Sequence, residues 1–274
     1  MPTRVGQWTS RYLSKRRSVL RPYPATTKKT YITEGEMFGG HGKILRVNLS
    51  ESKITEEKIP EELFEKYLTG AGLATHYLYH EVPRGADPLG PENELIFMNG
   101  TVTGAQAPST GRYNVVFKSP LTGIWAQAKV GGDWGGEFKK TGFDGIILQG
   151  ISPEPVYLVI EEGGAKLRDA KHLWGENVPQ TTKQIKTEIG DNFNVACIGI
   201  AGENQVRYAS TMSDIHRAAG RCGGGAVMGS KRLKAIAVYG KTPVNFADAT
   251  SFAKVARKQF ELVDESLLKV ALET

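Results

Sequence analysis

Apolar and polar residues alternate in short bursts along most of this chain, and the bursts predict strands. Residues 43–49 and 53–59, "KILRVNL" and "KITEEKI", flank Ser50-Glu51-Ser52 and read as a hairpin. Pro60 then opens a helix that carries Leu63, Phe64, Tyr67, Leu68, Leu73, Tyr77 and Leu78 at helical spacing. Pro83, Pro88 and Pro91 mark a loop. "ELIFMNG" (94–100), "YNVVFKS" (113–119), "DGIILQG" (144–150), "PVYLVIEE" (155–162), "VACIGI" (195–200), "VRYASTM" (206–212) and "AIAVYG" (235–240) follow as strands. A helix over about 179–189 closes at Gly190, a natural helix-ending residue. So many strands with so few helices between them predict an α+β fold and not a regular βαβ winding.

The pattern holds a faint echo of itself. "GGDWGGEFKKTGFDGIILQG" (131–150) and "RCGGGAVMGSKRLKAIAVYG" (221–240) both run from a glycine cluster through a short amphipathic stretch to four apolar residues and a glycine. Identities are few (Gly135/Gly225, Ile146/Ile236, Gly150/Gly240), yet the pattern predicts two similar β-units, each presenting one glycine-rich loop. At the far end, Phe252, Val255, Ala256, Val263, Leu267 and Val270 form one helical stripe that runs to Thr274 with no capping glycine. The expectation is that another chain covers this stripe or that the sequence is cut short.

Charge changes the picture less than the total of +6 implies. Residues 1–36 hold eight cations against two acids, and the remaining residues balance. A neutral body has no basic excess to lay along a nucleic acid. The first 36 residues contain Arg16-Arg17 but no apolar run after them, so they are not a secretory or twin-arginine signal. They read as a disordered or mis-assigned extension ahead of a start at Met37, with a transit peptide as the alternative. No run of 18 apolar residues is present, which predicts no membrane span. Cys197 and Cys222 form no C-x-x-C pair and read as free thiols in a reducing cytoplasm.

Glycine is the compositional outlier, with 32 residues, about 12% against an ordinary ~7%. In "HRAAGRCGGGAVMGSKRLKAIAV" (216–238) five glycines lie among cations and just before an apolar strand. Bare main-chain N–H groups and arginines both bind phosphate oxygens. A Walker A loop is excluded because Ser230-Lys231 reverses the required order, and a Rossmann fingerprint because Met228 takes the third glycine position. Two readings remain: a phosphate loop of another kind, or glycines that permit tight turns and close packing. A second arginine favours the first. Arg112 follows Gly111 at the mouth of a strand, and Gly131-Gly132 come 19 residues later. Two arginine-plus-glycine sites suit two phosphate groups, or one ligand with two phosphates. His216, Trp125, Trp174 and Asp214 take ordinary roles: a solvated imidazole, packed indoles, and a carboxylate paired with an arginine.

"GRYNVVFKSPLTG", "AGEN" (201–204) and "HRAAGRCGGGAVMGSKRLKAIAV", with "DPLGPENELI", "GFDGIILQG" and "DAKHLWG" collinear between residues 37 and 244, resemble the N-terminal domain of the tungsten-containing aldehyde ferredoxin oxidoreductases. The resemblance implies an α+β domain of that type over 37–245, after the extension of 1–36 and before the start of a truncated helical domain at 246–274. Such a domain is the base on which tungsten sits, held by two pterin dithiolenes that each end in a phosphate. By position, Arg112 and Arg217 resemble the phosphate-facing arginines, and Gly131, Gly220 and Arg221 further pterin contacts. Lys129 and Ala218 fall where main-chain carbonyls hold a bridging magnesium. The family's usual residue at position 129 is asparagine, so Lys129 is a departure.

The resemblance further implies aldehyde oxidation to a carboxylic acid, with electrons passed through a [4Fe–4S] cluster to ferredoxin. Two cysteines cannot hold that cluster, and the family's acid–base residues lie beyond the stretch this chain matches. No catalytic residue is therefore expected within it. The alternative is a non-catalytic pterin- or phosphate-binding subunit that docks on a separate cluster-bearing chain through the helix after residue 251, or a homo-oligomer covering that helix. Expected partners are an aldehyde and ferredoxin, with no nucleic acid and no membrane.

Overall fold

The hairpin predicted at the start forms from Lys43–Asn48 (β1) and Lys53–Lys58 (β2), in register from Lys43 opposite Lys58 to Asn48 opposite Lys53. The computed structural model describes residues 37–162 and 164–264. These fall into two units: one of residues 37–104 with 111–244, and one that includes 105–110 and 245–264.

In the larger unit β1 and β2 join Leu95–Asn99 (β3), Tyr113–Lys118 (β4), Trp125–Val130 (β5) and Gly145–Gln149 (β6) in a sheet ordered β2-β1-β6-β3-β4-β5. The second sheet is built from Val156–Glu161 (β7), Gly164–Asp169 (β8), Asn194–Cys197 (β9), Thr211–Ser213 (β10), Arg217–Ala219 (β11) and Leu233–Val238 (β12). Its order, β8-β7-β12-β9-β10-β11, is the first order with six added to every strand. In both sheets only the first and last strands pair in parallel, β1 with β6 and β7 with β12. The echo near the two glycine clusters is thus the visible part of a complete structural duplication.

Alternation decides the layers. Leu45 and Val47, Leu95 and Phe97, Val115 and Phe117, and Ile146 and Leu148 share one core with Leu158, Ile160, Ala196, Ile236 and Val238 of the other sheet. Residues of opposite parity face outward. Ile44, Ile96, Met98, Val116 and Ile147 pack under Gly70–Glu81 (α2), through Leu73, Ala74, Tyr77 and Leu78. Tyr157, Val159, Val195 and Ala237 pack with Ile185 of Val178–Ile189 (α4). The Asn177 side chain caps α4 by accepting from Gln180 N at 3.1 Å, and Pro179 stands in its first turn.

The single helix expected after Pro60 is two: Glu61–Tyr67 (α1) and α2. Leu68, at φ +59°, and Gly70, at φ +69°, leave the helical region. Five residues separate Leu68 from Leu73, a step that no single helical face accommodates, and Leu68 is exposed. "VRYASTM" is strand only from Thr211. Strands β5, β8 and β11 were not anticipated. Short helices Trp134–Lys139 (α3), Ile200–Glu203 (α5) and Gly224–Ser230 (α6) complete this unit. In the smaller unit Ala249–Asp264 (α7) is capped by Asp248, which accepts from Ser251 N at 2.8 Å, and Phe246 stacks on Phe252 at its entry. Leu267 and Val270 lie outside the described residues. Among those residues no helix is long and apolar enough to cross a membrane.

Buried charges tie loops to the core. Lys139 pairs with Asp144, both fully buried, and Asp144 also accepts from His41 N at 2.8 Å and Gly42 N at 2.7 Å. Lys234 pairs with Glu203, the glutamate of "AGEN", which also accepts from Gly175 N at 2.8 Å. Removing one partner of such a pair costs about 3–5 kcal/mol, because the other charge is left buried. Lys231 donates to Asn93 O at 2.6 Å and Gly150 O at 3.1 Å.

Glu94 is different. Burial, reinforced by the Glu81 carboxylate, pushes it up to about 8, against the pull of Arg46 and Lys231. A carboxyl raised in the folded state holds a proton that the unfolded chain has released, so its contribution falls as pH rises from the ordinary carboxylate range to about 8. Glu94→Gln keeps a donor toward Glu81 and removes the titration. The expected outcome is a melting temperature equal to the parent near about pH 5 and above it near about pH 8, read by calorimetry. Parallel pH profiles for the two proteins would contradict this.

Candidate functional site

The strands β5 and β11 are the edges of their respective sheets and lie against one another. Each runs into a glycine loop and then a short helix: Gly131–Asp133 before α3, and Gly220–Gly223 before α6. The second loop is one residue longer than the first, and the two align when counted back from their helices. Gly132 at φ +110° corresponds to Cys222 at φ +65°.

A hypothetical Cβ sorts the glycines by purpose. At Gly223 it would lie 2.0 Å from Arg207 O, at Gly224 2.8 Å from the Phe117 ring, at Gly225 2.5 Å from Ser210 O, and at Gly229 1.9 Å from Gly202 O. Four of the five glycines in the 216–238 stretch are therefore demanded by close packing of main chain and core. Gly220 is the exception, with only the Ala218 methyl at 3.9 Å, and Gly131 meets nothing within 4 Å. Bare backbone that touches nothing in the protein is available to a ligand.

Exposed basic residues lie on and beside the strands that lead to these two open glycines. Arg112, Lys129, His216, Arg217 and Arg221 are exposed, and among the described residues their side chains make no ion pair or hydrogen bond. The β4–β5 register sets Tyr113 opposite Val130 and Asn114 opposite Lys129, which brings Arg112 across from Gly131. Its carbonyl is fixed by the Thr103 hydroxyl at 2.7 Å. A Cβ on Gly111 would lie 2.5 Å from Gly132 O, and one on Gly132 2.9 Å from the Arg217 side chain. Arg112, Gly131 and Arg217 therefore converge at one end of the paired edges.

Gly220 and Arg221 lie just past the far end of β11, three and four residues after Arg217, or about 10 and 13 Å of extended chain at ~3.3 Å per residue. There the Ser119 hydroxyl donates to Cys222 O at 2.8 Å. Ala218 lies between the two ends. Lys129 takes the parity of Asn114, while Ala128 and Val130 face the core, so its ammonium leaves on the α2 side of the sheet.

Asp214 does not pair with an arginine as expected. Its Oδ2 accepts from Asp133 N at 2.7 Å and Trp134 N at 3.0 Å, and its Oδ1 from the Asn194 side chain at 2.9 Å. Nothing in the local sequence announces a contact across 80 residues. Ile215 beside it stands at φ +63°, a conformation that a β-branched residue adopts only under constraint. Trp125 is nearly half exposed and donates to Thr75 Oγ1 at 3.1 Å.

The surface presents exposed arginines and open main-chain positions. It offers no side-chain cage for a metal: among the described residues no group of three or more His, Cys, Asp or Glu converges, and both oxygens of Asp214 are engaged. Any cation here depends on main-chain carbonyls and on the ligand's own oxygens.

Residues 44–240 match the family model described as "Aldehyde ferredoxin oxidoreductase, N-terminal domain". The chain belongs to that family. It is 51% identical over 224 residues to a tungsten-containing aldehyde ferredoxin oxidoreductase of Thermococcus kodakarensis, covering 81% of this chain and 37% of that protein. It is 33% identical to the WOR-like subunit of an aliphatic sulfonate oxidoreductase of Pyrococcus furiosus, covering 82% and 38%. Among solved structures, the active-site complex BamBC of benzoyl coenzyme A reductase with 1,5-dienoyl-CoA superposes with a TM-score of 0.81 at 36% identity, covering 83% of this chain and 35% of that one. The chain thus spans under two fifths of the length of these relatives.

The glycine classes give a direct test. Gly131→Ala is expected to leave the melting temperature within error, because its new methyl enters open space. Gly229→Ala drives a methyl into the α5 backbone and is expected to cost about 1–3 kcal/mol or more. Equal losses in chemical denaturation would show that the two glycines do not differ in purpose.

Proposed function

We propose that residues 37–245 form the domain of a tungsten bis-pterin oxidoreductase that grips the phosphate ends of its cofactor, with 246–274 opening a following helical segment and 1–36 an extension outside it. What carries this reading is the set of exposed, unpaired arginines, Arg112, Arg217 and Arg221, beside two open glycines on the meeting edges of duplicated sheets. A duplicated frame suits a ligand with two like arms. Arg112 and Arg217 donate charge-assisted hydrogen bonds to phosphate oxygens at one end, and Arg221 does so at the other. Gly131 and Gly220 let main-chain N–H groups come close. The main-chain carbonyls of Lys129 and Ala218 would hold a magnesium ion, with the Lys129 ammonium directed to the α2 side of the sheet.

When bound, the tungsten–dithiolene group supplies two-electron redox chemistry for oxidising an aldehyde to a carboxylic acid. The residues of this domain bind and orient; none is placed to act as acid or base. In this reading a [4Fe–4S] cluster, held outside this domain, would supply the electron path to ferredoxin in the cytoplasm. Cys197, buried and pushed up to about 11 by that burial, is no cluster ligand here.

The arginines test the reading. In the complete polypeptide, Arg112→Ala or Arg217→Ala is expected to weaken cofactor binding by about 1.5–3 kcal/mol each. Lysine at either position is expected to restore part of the loss, keeping charge but not the planar fork. Tungsten and pterin are measured per folded chain. Full occupancy in the folded double alanine variant would overturn the phosphate-clamp role.

A further inference from the structure

A carboxylate at the centre of a cationic site ordinarily quenches it. Asp214 does not, because its oxygens are taken by N–H donors: Asp133 N and Trp134 N on Oδ2, Asn194 Nδ2 on Oδ1. Arg217, three residues away, forms no ion pair with it. The carboxylate's charge is met by uncharged donors, and the arginine is left to a ligand.

The source of this contact matters as much as its strength. Asp133 stands at the N-cap of α3, where an aspartate usually bonds its own helix, yet its side chain makes no such bond. The cap comes instead from the β10–β11 hairpin of the other sheet. A local cap would hold only the helix; this one ties the first glycine loop to the strand carrying Arg217. The hairpin tip is held in a costly conformation to deliver it. Asp214 at φ +49° and Ile215 at φ +63° are both left-handed, and His216 N closes the turn on Asp214 O at 2.7 Å. Gly132 is bare where a Cβ would lie 2.5 Å from Asp214 Oδ2. At the equivalent place in the second half, a neutral hydroxyl, Ser119, holds the loop through Cys222 O.

We propose that Asp214 is a positioning residue: it fixes the Gly131–Asp133 loop against the β10–β11 hairpin, and so holds Arg217 and Arg112 at the separation that one phosphate group requires. This rests on the phosphate reading of the site given above. The two halves of the domain are then unequal by design, one loop latched by a carboxylate that accepts from main-chain N–H groups and the other by a hydroxyl.

The test uses the complete polypeptide with Asp214→Ala, Asp214→Asn, and the exchange pair Asp214→Asn with Asn194→Asp. The exchange returns an acceptor to the Asp133 and Trp134 N–H groups and moves the charge to position 194. Three quantities are read: the affinity of the cofactor-free protein for inorganic pyrophosphate, tungsten and pterin per folded chain, and the melting temperature. Asp214→Ala is expected to lose about tenfold in pyrophosphate affinity, the size of one charge-assisted bond, with a matching fall in occupancy. The exchange pair is expected to recover most of both. Asp214→Asn alone falls between, because its amide faces the Asn194 amide.

An Asp214→Ala protein that melts lower yet binds pyrophosphate like the parent, per folded chain, would reduce Asp214 to a helix cap and overturn the proposal. So would an exchange pair that folds but recovers nothing. If Asp214→Ala does not fold, the other two variants decide. The arginine variants separate the two layers: unchanged pyrophosphate affinity in the Arg112→Ala, Arg217→Ala protein removes the phosphate reading itself. Loss there without loss in Asp214→Ala removes only the latch.

Discussion

Two sheets with the same strand order each turn one apolar face toward the other, and the two faces bury one another in a shared core. This mutual burial is the constraint from which the rest follows. It sends the helices to the outer faces, where α2 and α4 cover the residues of opposite parity. It also makes strands meet at the border that β5 and β11 share, since both are the last strands of equivalent sheets. A loop leaving either strand arrives at that border without any further instruction. The site is therefore a product of the packing, and chemistry needed only to supply arginines and leave glycines bare.

The protein treats its cations in two ways. Lys139, Lys231 and Lys234 are fully buried, and every one has a carboxylate or carbonyl partner. Their role is to hold loops on the core, at a desolvation cost that their hydrogen bonds offset. Arg112, Arg217 and Arg221 are exposed and carry no such contacts. A body whose formal charges balance overall can still present a local excess, because its acids are spent elsewhere: Glu57 and Glu81 on Arg46, Glu203 on Lys234, Asp144 on Lys139.

Much of this was legible in the sequence where a strand is central. β3, β6, β7 and β12 are covered on both faces and read as unbroken apolar runs. The edge strands were not. "WAQAKV" places alanines toward the core and polar residues outward, "GAKLRD" is only half-buried, and β11 is three residues long. Weak burial leaves a weak pattern. The arginines beside glycines were visible as a pair of like features, but most glycines of the second cluster serve packing. That distinction exists only in three dimensions, in what a methyl group would strike. Asp214 was invisible for a related reason: two of its three partners are main-chain N–H groups some 80 residues away, which carry no residue signature.

Each sheet is encoded in one contiguous stretch, the first ending at Gln149 and the second beginning at Val156. On a ribosome the first sheet is complete in sequence before the second has emerged. Even so, β1 must wait for β6, about a hundred residues later, to gain its second neighbour. Once it does, the inner face of Leu45, Phe97, Val115 and Phe117 has nothing to cover it until β12 arrives. At ~5–20 residues per second the interval lasts several seconds. During that time the nascent chain exposes to water an apolar face whose match in the folded domain is still being made. Duplication supplies a further hazard, since the matching face of the same half on a neighbouring nascent chain is available sooner. The symmetry that builds the domain thus also sets the order in which its two halves must be made and covered.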